Sequence, residues 1–207
     1  MTRIAFHLAP ALMLAYGVVR LIDGRDGQHG PGPAWTIGHL LFLGSLVLYG
    51  LVIVGLRRRM PVAQGRRGRR IAADVTAAVA GVGLVTFVRV AVIDIVVGLK
   101  AADAAEKSAL ADRYADVPAV LPQAFYEIGP VFFMLGLLVL LVQFAVLTTD
   151  RKPVAAAGPV LVALGFVAIT VNLDLLPVGA ALIWLALAPF TRTKTVAPKH
   201  KPAQVPA

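Results

Sequence analysis

Long apolar stretches separated by short polar segments dominate the chain. A helix that crosses the hydrocarbon core of a bilayer needs roughly 20 predominantly apolar residues. Four stretches meet that length: residues 4–22, 35–56, 71–98 and 121–147. Each run is continuous, whereas the strands of a membrane β-barrel are about ten residues long and alternate between apolar and polar positions. The pattern therefore predicts an all-α, polytopic transmembrane helical bundle.

A fifth apolar region, residues 154–190, is too long for one span. It is interrupted by Asn172, Asp174 and Pro177, so we interpret it as a tight hairpin of two short helices, about 154–173 and 175–190. This gives about six spans. Because both pieces are close to the minimum length for crossing a bilayer, five spans plus a re-entrant hairpin is the alternative.

The first apolar stretch follows Arg3 and could be a signal peptide. It is long, contains His7 and Pro10, and has no clear small-residue cleavage pattern before Arg20. We therefore interpret it as a retained span. Residues 1–192 are then expected to form a single transmembrane bundle.

Two segments are predicted to lie outside the bilayer. Residues 99–117 are rich in alanine, and Asp103 and Lys107 are spaced four apart, which favours a helix. This helix would either continue the third span outward or lie on the outer surface. Residues 193–207 are polar, basic and rich in proline, and they predict a disordered cytoplasmic tail.

The distribution of Lys and Arg predicts the orientation of the bundle. The formal net charge is +9, and seven arginines fall between residues 57 and 70. Short loops rich in Lys and Arg stay on the cytoplasmic side. With six spans, the loops and tails assigned to that side contain fourteen basic residues and the outer loops contain five. Both termini are therefore predicted to be cytoplasmic.

The amino-acid composition indicates the cellular compartment and the partners of the protein. Hydrophobic residues make up 58% of the chain, more than the roughly 45–50% of a soluble domain, so the lipid bilayer is the first partner. The bias toward Ala, Val, Gly and Arg is typical of GC-rich bacterial genomes and points to a bacterial plasma membrane. Anionic inner-leaflet lipids are expected near Arg57–Arg70. Nucleic acid is not expected, because the basic charge follows the topology.

Ionisable residues within membrane spans are costly and often mark a functional site. Under the six-span topology, five such candidates fall in the outer half of the bundle, as a ligand site or as ion pairs: His39, Arg89, Asp94, Glu127 and Asp174. The alternative is structural, since residues near an interface can extend to water or pair to hold helices together.

Spacing and depth suggest how these residues pair. Arg89 and Asp94 are five residues apart, which places them on different sides of one helix, because facing pairs are three or four apart. Glu127 lies at a similar depth on the next span. We therefore predict a direct contact between Arg89 and Glu127, with Asp174 as the second candidate partner.

Small and aromatic residues suggest where helices and interfaces meet. Ala73, Ala77 and Gly81 recur every four positions, as close helix contacts require. Trp35 and Tyr126 lie near the predicted outer surface and are expected to be interface anchors.

Motifs that would name a reaction are absent from the sequence. There is no Cys, no HExxH pair, no nucleophile elbow and no glycine-rich phosphate loop. The spacing of His29, His39, Glu127 and Asp174 is not diagnostic of a metal site. We expect no catalytic residue, no metal and no cofactor.

Three functions stay open at this point. The first is a non-enzymatic bundle that binds a small ligand or a partner from its outer face, or that serves as an accessory subunit. A membrane-protein partner or a second copy of the chain would suit that role. The second is a small transporter or proton-coupled carrier. The third is a membrane enzyme that uses Glu127 and His39 as acid and base.

Overall fold

A computed structural model describes residues 2–27, 29–60, 67–115, 117, 123–148 and 152–191, and the structural statements below concern these residues. They form seven α-helices and three short 3-10 turns, with no strand among them. The helices are α1 (Thr2–Asp23), α2 (Pro33–Arg59), α3 (Arg67–Lys100), α4 (Ala104–Ala115), α5 (Gln123–Leu147), α6 (Lys152–Val171) and α7 (Leu176–Leu187). The prediction of an all-α bundle is confirmed.

Five helical segments are long and apolar enough to cross a membrane. They are Arg3–Asp23, Pro33–Arg59, Arg67–Lys100, Phe125–Leu147 and Leu173–Thr191. The sixth, Ala156–Val171 in α6, is apolar but shorter.

The predicted hairpin at 154–190 is present as two helices, which meet at a 3-10 turn, Leu173–Leu175. Whether α6 crosses the bilayer fully stays a prediction. The predicted tail at 193–207 lies outside the described residues.

Apart from α4, the helices form a closed ring in chain order. Contacts join α1 to α2, α2 to α3, α3 to α5, α5 to α6, α6 to α7 and α7 back to α1, and α2 also touches α5 across the ring. Short connections between consecutive helices make neighbours antiparallel. Every helix of the ring therefore has two neighbours along the ring and one outward face.

The bundle has two ends with different chemistry. At one, α1 finishes beside the start of α7, where Gly17 lies against Leu176 and Pro177. We call this the His39 end. At the other, Phe6 of α1 stacks on Phe190 with ring centroids 5.5 Å apart. We call this the Arg57 end.

Helices α3 and α5 approach so closely that their backbones touch. A Cβ added to Gly136 would lie 2.7 Å from Cα of Ala80, and one added to Gly83 would collide with the backbone of Phe133. The predicted stripe of small residues is therefore displaced. Ala73 is buried, but Gly81 faces open space, because the contact with α5 follows Ala80 and Gly83 instead.

Aromatic and aliphatic side chains fill the middle of the ring. Phe133 is almost fully buried and lies at its centre. Its ring is near Tyr49 of α2 at 5.4 Å, Phe87 of α3 at 6.3 Å and Phe166 of α6 at 6.5 Å. Outside the ring, valine and leucine side chains such as Val47, Val85 and Leu164 are exposed. Exposed apolar side chains all around a bundle suit contact with lipid tails.

The predicted helix at 99–117 is split in two. Helix α3 continues to Lys100, the chain turns at 101–103, and α4 then runs back along α3. The Asp103 carboxylate accepts a hydrogen bond from Glu106 N at 2.8 Å, and the Glu106 carboxylate accepts one from Ala102 N at 2.8 Å. This reciprocal capping stabilises the start of α4. The alternative in which this segment continues the third span as one helix is not what the structure shows, and a position on the outer surface stays a prediction.

Candidate functional site

His39 is the most buried ionisable group at the His39 end. Its side chain is 6% exposed. Its Nδ1 donates to the backbone carbonyl of Trp35, one turn earlier on α2, at 2.8 Å. A carbonyl can only accept, so Nδ1 carries the proton and Nε2 is left to face the neighbouring helices.

The free nitrogen of His39 faces an acid and a phenol. Nε2 lies 3.5 Å from Oδ2 of Asp94 on α3 and 3.5 Å from the hydroxyl of Tyr16 on α1. Both distances exceed those of a normal hydrogen bond, about 2.7–3.2 Å, so the neutral imidazole interacts weakly. A protonated imidazole would form an ion pair with Asp94. Two of the five candidates, on separate helices, thus belong to one site.

Trp35 connects the parts of this site. Its indole Nε1 donates to the backbone carbonyl of Asp94 at 2.8 Å, and its ring centroid is 4.2 Å from that of His39. Gly98 makes this position available, because a Cβ there would lie 2.8 Å from the indole nitrogen. We expected Trp35 to be an interface anchor, and the structure places it inside the site. The one sequence signal for this role is Gly98, a small residue on α3 that leaves room for the indole.

A narrow cleft opens beside His39 between α1 and α2. Its volume is about 10 Å³, roughly the space of one water molecule. Tyr16, Arg20, Asp23 and Trp35 line it together with His39 and three small or apolar residues. Arg20 Nε is buried and has no hydrogen-bond acceptor among the described residues. The cleft therefore offers unused polar groups but room for little more than water in this conformation.

Helix α4 covers this end of the bundle through a stripe of half-buried residues, Lys107, Leu110, Ala111 and Tyr114. The Lys107 ammonium lies 4.2 Å from the centroid of the Trp35 ring and donates to the backbone carbonyl of His29. The Lys100 ammonium donates to the Tyr114 hydroxyl at 2.6 Å. Polar contacts, more than apolar burial, thus attach α4 to the bundle.

Arg89 does not pair with Glu127, and that prediction is wrong. Its Nη2 lies 3.2 Å from each of three backbone carbonyls at the end of α4: Tyr114, Ala115 and Val117. Its guanidinium also lies 4.3 Å from the centroid of the Tyr126 ring. The last carbonyls of a helix lack partners within the helix and carry partial negative charge, so a cation there stabilises the terminus. The prediction considered depth in the membrane and missed that α4 folds back to Arg89.

Two other candidates do not join the site. Glu127 and Asp174 are both exposed, and the backbone N–H of Asp174 donates to the Asn172 side chain within its own turn. The contacts of His39 are with Tyr16, Trp35 and Asp94. Within the described ranges, no three His, Asp or Glu side chains come close enough to hold a metal ion.

Below the site, the interior offers few free polar groups. Ser45 donates to the Ala9 carbonyl at 2.8 Å and Thr86 to the Gly83 carbonyl at 2.7 Å, so both hydroxyls are already used. Phe42 stacks on Tyr16 and contacts Phe87 edge-on. The Tyr49 hydroxyl is buried without a partner among the described residues. Aromatic rings thus separate the site from the Arg57 end.

The chain matches no protein family, no curated protein and no solved structure.

Proposed function

We propose that this protein is a non-enzymatic, multi-pass protein of a bacterial plasma membrane that binds a small ligand at its His39 end, which faces outward. The observation that carries the proposal is the His39–Asp94 pair. Both groups lie within helices suited to lipid, and ionisable groups are costly there. They meet beside a cleft with unused polar groups.

Binding from one end is favoured over transport through the bundle. A carrier would need polar groups at mid-depth that could pass a ligand inward. The described residues there are mainly aromatic and aliphatic, and the hydroxyls of Ser45 and Thr86 donate to backbone carbonyls. An enzyme using Glu127 and His39 is disfavoured, since Glu127 is exposed and His39 contacts Asp94 instead.

The proposed orientation rests on the distribution of arginine residues and on which helix ends meet at each end of the ring. Phe144 near the end of α5 contacts Phe190 with ring centroids 4.9 Å apart, so α5 and the last helix finish together at the Arg57 end. The exposed arginines at that end suit anionic lipid headgroups of the inner leaflet. A phosphatase that is active only outside should work when fused after Gly27 or Ala109 and fail after Gln64. Activity at Gln64 would reverse the assignment.

The binding proposal is tested with the purified protein in detergent. Ammonium, carboxylate and phosphate salts, supplied as small organic or inorganic ions, are screened for one that raises the melting temperature. The active class should lose its effect in His39→Gln and Asp94→Asn, with both variants still folded. If all three classes leave the melting temperature unchanged, the site does not bind small ions. If both variants fail to fold, the pair is structural.

A further inference from the structure

The contact between Lys107 and Trp35 has the chemistry of a binding site for an organic ammonium ion. Such sites combine the face of an aromatic ring, best of all Trp, with nearby acceptors. The Lys107 ammonium lies over the Trp35 ring at 4.2 Å and donates to the His29 carbonyl. The Asp94 carboxylate lies beside His39 at the same end of the bundle. An aromatic face and a backbone carbonyl thus hold one ammonium group at an end of the bundle that also carries a carboxylate.

The aromatic face is fixed in place independently of Lys107. The Trp35 indole donates to the Asp94 carbonyl, its edge lies against Gly98, and its ring is near His39. Fixing a binding surface in advance lowers the entropy lost on binding. The surface would therefore persist if Lys107 moved away.

Lys107 belongs to the most weakly attached helix of the bundle. No residue of α4 is buried, and α4 connects to α3 through the short turn at 101–103. Segments with few buried apolar contacts open at lower free energy than the rest of a fold. Movement of α4 would withdraw the ammonium and leave the Trp35 face open.

The charges that remain would select a cation. With Lys107 withdrawn, the charged groups among the described residues that line the cleft or contact His39 are Arg20 and Asp23 from α1 and Asp94 from α3, with the imidazole of His39 counted as neutral. One positive and two negative charges leave an excess of one negative charge. An incoming cation restores the balance, whereas an anion would increase the imbalance.

We propose that the ligand of the His39 end is a small organic ammonium ion, and that Lys107 is a tethered occupant of its position on Trp35. The inference rests on the proposed binding function and names the chemical class of the ligand. Binding requires α4 to lift, so the protein as seen here is the closed form.

The test compares two substitutions on α4. Lys107→Met keeps the apolar stem and removes the charge, while Arg113→Met removes the same charge from an exposed position on the same helix. Tetramethylammonium is the probe, and titration calorimetry of the detergent-solubilised full chain measures its affinity. We expect Lys107→Met to bind about tenfold tighter than the parent, as a cation–π contact of about 1.4 kcal/mol implies. Arg113→Met should match the parent.

A second pair of variants places the probe on Trp35. Adding Trp35→Leu to Lys107→Met should abolish binding of the probe. Trp184→Phe leaves Trp35 as the only tryptophan, so the fluorescence of that variant should respond to the probe. Equal affinity in parent and Lys107→Met, or binding that survives Trp35→Leu, would overturn the inference. If acetate or phosphate binds and depends on His39 while tetramethylammonium does not, the ligand class is wrong and the binding function stands. If none of these ions binds, the binding function fails as well.

Discussion

The two ends of the bundle contain similar ion pairs and cation–aromatic contacts in different environments. At the Arg57 end, Arg57 Nε is 2.6 Å from Oδ1 of Asp74, whose side chain is exposed. The Arg59 guanidinium lies 4.7 Å from the Phe6 ring centroid. At the His39 end, Asp94 lies 3.5 Å from a buried histidine, and a lysine lies over a tryptophan.

The difference lies in burial and in how fully the polar groups are used. The pair at the Arg57 end is short and reached by water, where an ion pair contributes little to stability. At the His39 end the distances are long, a cleft is present, and Arg20 Nε lacks an acceptor. Similar cation–carboxylate and cation–aromatic contacts thus form accessible pairs at one end, and at the other they lie beside the cleft of the proposed ligand site.

The largest expected effect is a loss of stability caused by a substitution in the middle of the bundle, where α3 and α5 meet. Gly83→Ala would push a methyl group into the backbone of α5, and overpacking of this kind costs about 3 kcal/mol. Chemical unfolding in detergent should show the loss. Gly81→Ala is the matched control on the same helix, because its Cβ meets open space. An equal loss in both variants would contradict the backbone contact between α3 and α5.

The pair at the His39 end should be energetically coupled. His39→Gln and Asp94→Asn should each reduce the free energy of unfolding by about 2 kcal/mol, because removing one partner leaves the other poorly compensated within the bundle. The double variant should lose less than the sum. Strictly additive losses would mean that the two groups do not interact.

Arg89 should affect α4 and little else. Arg89→Met removes a cation from the C-terminus of that helix, which is worth about 1 kcal/mol. Amide hydrogen exchange in α4 should accelerate, while exchange in α2 stays unchanged. Glu127→Gln should leave exchange in α4 as it is. Faster exchange in that control would revive the pairing of Arg89 with Glu127.

The smallest effect is expected at the Arg57 end. Arg57→Gln should change the unfolding midpoint barely at all, and any change should vanish at high salt, since accessible ion pairs are screened. Salt titration of the midpoint checks this. A salt-resistant loss comparable with that of Asp94→Asn would erase the contrast between the two ends.

The positions and approximate lengths of the helices could be predicted from the sequence, because a helix suited to cross a bilayer must have an apolar stretch of about the bilayer's thickness. The span predicted at 71–98 is α3, Arg67–Lys100, and the one at 35–56 is α2, Pro33–Arg59. Position along each helix could also be compared, and His39 and Asp94 were both predicted to lie in the same half of the bundle. The structure brings them together at one end of the bundle.

Rotation of the helices about their axes was not readable from the sequence. A helix with lipid on one side and protein on the other is apolar all around, so no polar face shows which side contacts a neighbour. Gly83 and Gly81 look alike in the sequence, yet only Gly83 meets α5. The partner of Arg89 was missed for a related reason, because the turn at 101–103 returns α4 to it.

The closed ring has a consequence for how the protein is made. Ribosomes deliver helices to the membrane in chain order, yet α1 needs α7 as a neighbour. Until translation reaches α7, the flank of α1 that bears Phe6 and His7 must be covered by lipid or by the insertion machinery. The stacking of Phe6 on Phe190 and the hydrogen bond from Trp184 to His7 can form only after the chain through Phe190 has been synthesised. A nascent chain that stalls before α7 would present an open seam along its first helix to the quality-control proteases of the membrane.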